Sequence, residues 1–111
     1  MRVWLAQMRT GLVEPCVLAA LREGEAYGYQ ILQRLVPAES LGMSESAVYP
    51  VLARLAAEKL VRVREAPSPS GPPRRYYRLT PLGVARLAEM TASWRQLESV
   101  VNDLLKEKRN G

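Results

Sequence analysis

Apolar residues recur along this chain at helical spacing in several separate stretches, and once with a period of two. Leu12, Cys16, Ala19 and Ala20 fall on one helical side, and Val17, Leu18 and Leu21 widen it. This predicts a helix over residues 11–23 that is apolar almost all round and so buried on more than one side. Pro15 fits its first turn, and Gly24 closes it. Tyr27, Ile31 and Leu35, with Leu32, predict a second helix over 27–36, ended by Pro37. The connection Leu41-Gly42-Met43-Ser44 is short and has a glycine at its bend, as a helix-turn-helix requires. A third helix starts at Ser44, whose hydroxyl is suited to take an unpaired N–H of the first turn. Val48, Val51, Leu52 and Leu55 form its apolar face. Trp4, Leu5 and Met8 share a face in residues 1–10, which fit either a short helix packed on another subunit or a frayed arm.

The period then changes. Val61 and Val63 alternate with Arg62 and Arg64, the pattern of a half-buried strand. Arg75-Tyr76-Tyr77-Arg78-Leu79 favours a second strand. Of the two tyrosines, alternation sends one to the core and the other outward. The Pro/Ser/Gly run from Pro67 to Pro73 is a turn or flexible tip. From Thr80, an N-cap followed by Pro81, nothing breaks a helix until the tail at Asn110-Gly111. Its apolar residues are Leu87, Met90, Trp94, Leu97, Val101 and Leu104, at alternating spacings of three and four. That is an a/d seam, longer than a small domain needs for its own core. It reads as a subunit interface; the plainer reading is a helix that caps the first helix within a monomer. The fold class expected is mainly α with a small two-stranded wing. It consists of a winged helix-turn-helix over 1–79 and a long C-terminal dimerisation helix over 80–109.

The outer face of the third helix carries Ser46, Tyr49, Pro50, Ala53, Arg54 and Ala57. A solvated helix face would be rich in Glu and Lys. Small residues with a few hydrogen-bonding tips suit a major groove about 12 Å wide. Pro50 lies inside the helix, where it removes a backbone hydrogen bond; the apolar period runs through it unbroken. Local rules tend to break at functional sites. Charge points the same way. Between Arg54 and Arg78 stand seven basic residues against two acids, an excess equal to the formal net charge of +5 of the whole chain. Such concentration marks a polyanionic partner, and double-stranded DNA is the partner expected. The DNA-facing residues expected are Ser44, Ser46, Ala47, Tyr49, Pro50, Arg54, Arg74, Arg75 and Tyr76, with Arg62 and Arg64 either solvated or on phosphate.

Composition removes other classes. The chain has 111 residues, 48% of them hydrophobic, with one cysteine and no histidine. It is therefore one folded domain and not a disordered segment. Zinc sites and most hydrolase mechanisms lose their usual groups. Gly24, Gly28 and Gly42 are isolated, so no phosphate-cradling loop is present. No enzyme activity, metal or cofactor is expected. No apolar run approaches the roughly 20 residues of a membrane span, and Met1-Arg2-Val3-Trp4 does not open a signal peptide. Cys16 is read as a core thiol. A single cysteine fits the reducing cytoplasm, the location expected.

Three segments, residues 27–31 (YGYQI), 44–61 (SESAVYPVLARLAAEKLV) and 71–83 (GPPRRYYRLTPLG), together resemble the PadR family of bacterial transcriptional regulators. The resemblance runs from about Gly11 to Leu105. The single C-terminal helix is similar to the short subfamily, which includes multidrug-binding repressors. The resemblance implies a homodimer through the C-terminal helices that binds a palindromic operator, usually as a repressor. It places Ser46, Tyr49 and Pro50 at the groove-facing start of the recognition helix, and Arg74 and Arg75 on the wing. It also aligns Trp94 with a tryptophan that stacks flat aromatic effectors at the dimer axis, with Met8, Pro15 and Glu98 near the same cavity. The competing readings are a winged-helix protein-interaction module that does not bind DNA, and a small-molecule carrier.

Overall fold

In the computed structural model of this chain, residues 2–107 are described. They form five α-helices and three short strands. Helix α1 (Val3–Arg9) comes first and buries none of its residues. This settles the opening segment as a short helix. Helix α2 (Val13–Leu21) follows, shorter than expected but buried through Val17, Leu18, Ala20 and Leu21. Strand β1 (Ala26–Tyr27) leads directly into α3 (Gly28–Arg34). An irregular 3-10 segment, Val36–Leu41, takes the place of a simple chain ending after Pro37. Gly42 then turns the chain at φ +73, a conformation that L side chains rarely adopt.

Helix α4 (Glu45–Ala57) contains Pro50 without interruption. A proline six residues in has no N–H to donate to the Ser46 carbonyl, so the helix lacks that one backbone bond. The helix ends where Lys59 takes φ +62 and the Leu60 N–H donates to the Leu55 carbonyl at 2.9 Å, a Schellman-type stop. Strands β2 (Val61–Ala66) and β3 (Arg74–Leu79) form the wing. The sheet has three strands where two were expected, because β1 pairs antiparallel with the free edge of β3, Ala26 opposite Tyr77 and Tyr27 opposite Tyr76. A two-residue strand carries too little sequence pattern to register as one.

Helix α5 (Pro81–Leu105) closes the fold. Thr80 caps it, accepting from the Gly83 N–H at 3.1 Å and donating to the Lys59 carbonyl at 2.7 Å. Lys106 is extended, so the helix stops there; residues 108 and 109 of the expected helix, and the tail at Asn110-Gly111, lie outside the described residues. The core gathers Val17, Leu18, Ile31, Val48, Leu52 and Leu55 from α2, α3 and α4, with Leu60, Val61, Tyr77 and Leu87 from the wing and α5. Among the described residues no helix is long and apolar enough to cross a membrane.

Candidate nucleic-acid interface

The face of α4 turned from the core is the one its sequence marked. Val48, Leu52 and Leu55 are buried, whereas Ser46, Tyr49, Pro50, Ala53, Arg54 and Ala57 are exposed and Ala47 is half-buried. Ser44 is the N-cap by backbone geometry, but its hydroxyl makes no capping bond. It lies 3.0 Å from the Ser46 hydroxyl instead. The helix therefore opens on two neighbouring hydroxyls exposed to solvent.

Tyr49 joins this face to the next element. A Cβ placed on Gly28 would lie 2.5 Å from Tyr49 Cε1, so the ring rests where only glycine leaves room. Burial raises the Tyr49 phenol above its ordinary value, and the nearby Glu45 and Tyr77 add to this. Its hydroxyl is thus a proton-bearing donor at neutral pH. Tyr27, the neighbour of Gly28, carries Arg74, whose guanidinium lies 4.5 Å from the ring centroid. Tyr27 and Tyr76 meet edge to face at 5.5 Å, and Arg64 lies 4.7 Å over Tyr76. The chain of contacts Tyr49–Gly28, Tyr27–Arg74 makes the exposed face of α4 contiguous with the wing through the start of α3.

The wing sorts its side chains as alternation demands. Tyr77 is buried and Tyr76 lies on the opposite, outer side, sharing it with Arg64 and Arg74. Arg62 and Arg78 sit opposite each other on that same outer side and are exposed. Arg75 is exposed near the tip, with its guanidinium 6.0 Å from the Tyr77 ring.

The arginines fall into two kinds. Arg54, expected to hold phosphate, lies exposed on α4 but is engaged by two carboxylates. Its guanidinium donates to Glu14 at 2.6 Å and to Glu58 at 3.0 Å, and these hydrogen bonds raise its already high pKa. Arg64 is similarly engaged by both oxygens of Glu25, at 2.6 and 2.8 Å. That bond, with the charge of Arg64 behind it, holds the Glu25 carboxyl below its ordinary value. Arg74 and Arg75 lie against rings instead. Cation–π contact holds a guanidinium in place without using its N–H donors.

Glu14 was missed from the sequence. It is 8% exposed and accepts from both Arg54 and Arg86. The signal was present: a lone carboxylate inside the apolar run Leu12–Leu18 must be paired if buried. The Glu25–Arg64 pair had no such signal, because its partners lie 39 residues apart.

The expected α5 seam divides. Leu87 is 6% exposed inside the subunit's own core, which corrects its expected place on a subunit interface. Met90 packs partly against that core. Trp94, Leu97, Val101 and Leu104 are exposed, as are their neighbours Val100 and Leu105. Of the four expected effector residues, Pro15 and Trp94 line one cleft of about 330 Å³ between α2 and α5, together with Leu12, Arg86 and Met90. Glu98 does not border it, facing a separate groove farther along α5. Met8 stands exposed on α1. Cys16 is half-buried against the edge of the core, and burial raises its thiol pKa.

A helix-turn-helix whose second helix leads into a basic hairpin defines a winged-helix DNA-binding protein. Residues 17–89 match the model of the transcriptional regulator PadR-like family, and the chain belongs to that family. The family is one of transcriptional regulators, not enzymes. The fold is similar to that of a PadR-like transcription factor from Bacteroides fragilis. That protein is 39% identical, with 88% of this chain and 94% of the other covered and a TM-score of 0.73. A PadR-like transcriptional regulator from Bacillus cereus is 35% identical over 92% of this chain and 99% of its own, with a TM-score of 0.77. An uncharacterized protein of Lysinibacillus sphaericus is 29% identical over 94 residues, 83% of this chain and 86% of the relative. The chain is accordingly a DNA-binding transcription regulator.

Proposed function

We propose that this regulator acts in the cytoplasm as a homodimeric repressor at a palindromic operator. Ser44, Ser46, Ala47, Tyr49 and Pro50 form the base-reading start of α4. Arg74, Arg75 and Tyr76 of the wing hold the flanking backbone or minor groove. The observation that carries this reading is the run of packed residues from Tyr49 through Gly28 and Tyr27 to Arg74. It supports one continuous surface of hydroxyls and unpaired guanidinium donors, the combination needed for base edges and phosphates together. Trp94, Leu97, Val101 and Leu104 pair with a second copy. This sets the two reading helices about 34 Å apart, the distance between successive major grooves on one side of a duplex. A small aromatic effector at the Trp94–Pro15 cleft relieves repression by binding one dimer arrangement better than the other.

The test is a gel shift with the DNA upstream of the chain's own gene, repeated over a range of salt. Replacing Arg74 and Arg75 together by Ala should weaken binding and reduce the slope of log affinity against log salt by about two, one for each phosphate that is no longer neutralised. An unchanged slope removes the wing from the interface. A protein that ignores DNA altogether favours the protein-interaction module.

A further inference from the structure

Glu14 is the sole acid of α2, and its carboxylate is divided between two other helices. One oxygen accepts from Arg54 of α4 at 2.6 Å. The other accepts from Arg86 of α5 at 3.1 Å. The same α4 carries the exposed Ser46, Tyr49 and Pro50, and the same α5 carries the exposed apolar seam. Packing alone does not require charge at this junction, since a buried ion pair replaced by apolar residues of similar volume is commonly no less stable. What charge adds is direction: each guanidinium must meet its own oxygen, so the helices lose the freedom to slide.

We propose that Glu14 is a positioning residue that locks the reading helix α4 to α5 through Arg54 and Arg86, and so fixes how two copies of α4 are presented to a duplex. The inference rests on the DNA-binding reading above. Specific recognition needs that fixed presentation, because base edges must be met in register; attraction to phosphates does not. Loss of the junction therefore lowers specific binding and spares non-specific binding. Glu14→Gln keeps the side-chain size but cannot accept fully from both arginines. It also adds one unit of positive charge, which favours phosphate attraction. Arg86 borders the Trp94–Pro15 cleft, so an occupant of the cleft touches the α5 arm of the junction directly.

The experiment begins by enriching duplexes from a random-sequence pool with the wild-type protein. Affinities of wild type, Glu14→Gln and Arg86→Gln are then measured by fluorescence anisotropy, on an enriched duplex and on a scrambled one, and the selection is repeated with each variant. Each variant should lower the enriched-to-scrambled affinity ratio about tenfold, the scale of coupling between groups in one ionic network. Each should also broaden the half-site spacings recovered. Arg86→Gln alters a half-exposed side chain and leaves the Glu14–Arg54 bond in place, so it reports even where Glu14→Gln folds poorly. An Arg86→Gln protein with the wild-type ratio and spacing overturns the proposal. A wild-type protein that enriches no sequence overturns the DNA reading itself, which separates the two failures.

Discussion

The two halves of α5 carry one hydrophobic seam and meet opposite fates. Leu87 is 6% exposed and Met90 packs on the core, yet one turn farther on Trp94 is 47% exposed and Leu104 reaches 79%. From Ala92 to Glu107 every described residue is exposed. The spacing does not change at this point; the supply of packing partners does. Helix α2 and strand β3 pack on the first turns, and the start of α2 still borders Trp94 and Leu97 across one cleft without burying them. The Cα radius of gyration is accordingly 16.8 Å and the long dimension 66 Å, against about 13 Å for the radius of a compact domain of this length. Periodicity thus reports that a face will be covered. Whether the cover comes from the same chain depends on geometry that periodicity does not contain.

The sharpest way to break this comparison is to charge the uncovered half. Leu97→Asp with Val101→Asp should halve the solution mass on a sizing column with light scattering. Specific DNA binding should fall by at least about a hundredfold, because two half-sites are no longer held together. The monomer's helicity should hardly change, since both side chains are exposed. A double variant that keeps the wild-type mass would remove α5 from any subunit interface. A change on the covered side of the molecule gives the opposite result. Leu52→Ala, at a position fully buried on the inner face of α4, should destabilise the body by about 2–5 kcal/mol. The loss, measured by urea unfolding at two protein concentrations, should be independent of concentration.

A second contrast separates what the sequence made legible from what it did not. The helices, the wing, the outer face of α4 and the placing of the two wing tyrosines on opposite sides of the sheet were legible because each follows from a short local period. The pairing of Arg54 was not legible, because composition counts charges without seeing their partners. Seven basic residues between Arg54 and Arg78 look alike in a charge count. In the fold, Arg54 and Arg64 are tied to carboxylates from distant segments, Arg64 while also stacked on Tyr76, whereas Arg74 and Arg75 lie on tyrosine rings without a carboxylate partner among the described residues. Leu87 was assigned to the interface for a similar reason. It belongs to the seam by spacing, and only the three-dimensional packing of the first turns of α5 withdraws it. Strand β1 was invisible because its pairing with β3 spans some fifty residues and involves only two.

The pairing of Arg64 with Glu25 gives the smallest of these effects. The Arg64 hydrogen bond holds the folded-state carboxyl of Glu25 below its ordinary value near 4.5. A carboxyl with a lowered folded pKa contributes stability that is fully present above the unfolded value and is lost as pH falls through the folded one. Both partners are open to solvent, so the contribution is small and screened by salt. Arg64→Gln should therefore lower the urea midpoint slightly at neutral pH. The gap to wild type should stay level down to the ordinary carboxylate range and then narrow as the pH falls through the lowered folded-state value of Glu25. Raising the salt at neutral pH should narrow the same gap. A gap that persists unchanged into acid would mean that Arg64 stabilises the wing through its stacking on Tyr76 and not through Glu25, since the cation–π contact does not titrate with the carboxylate.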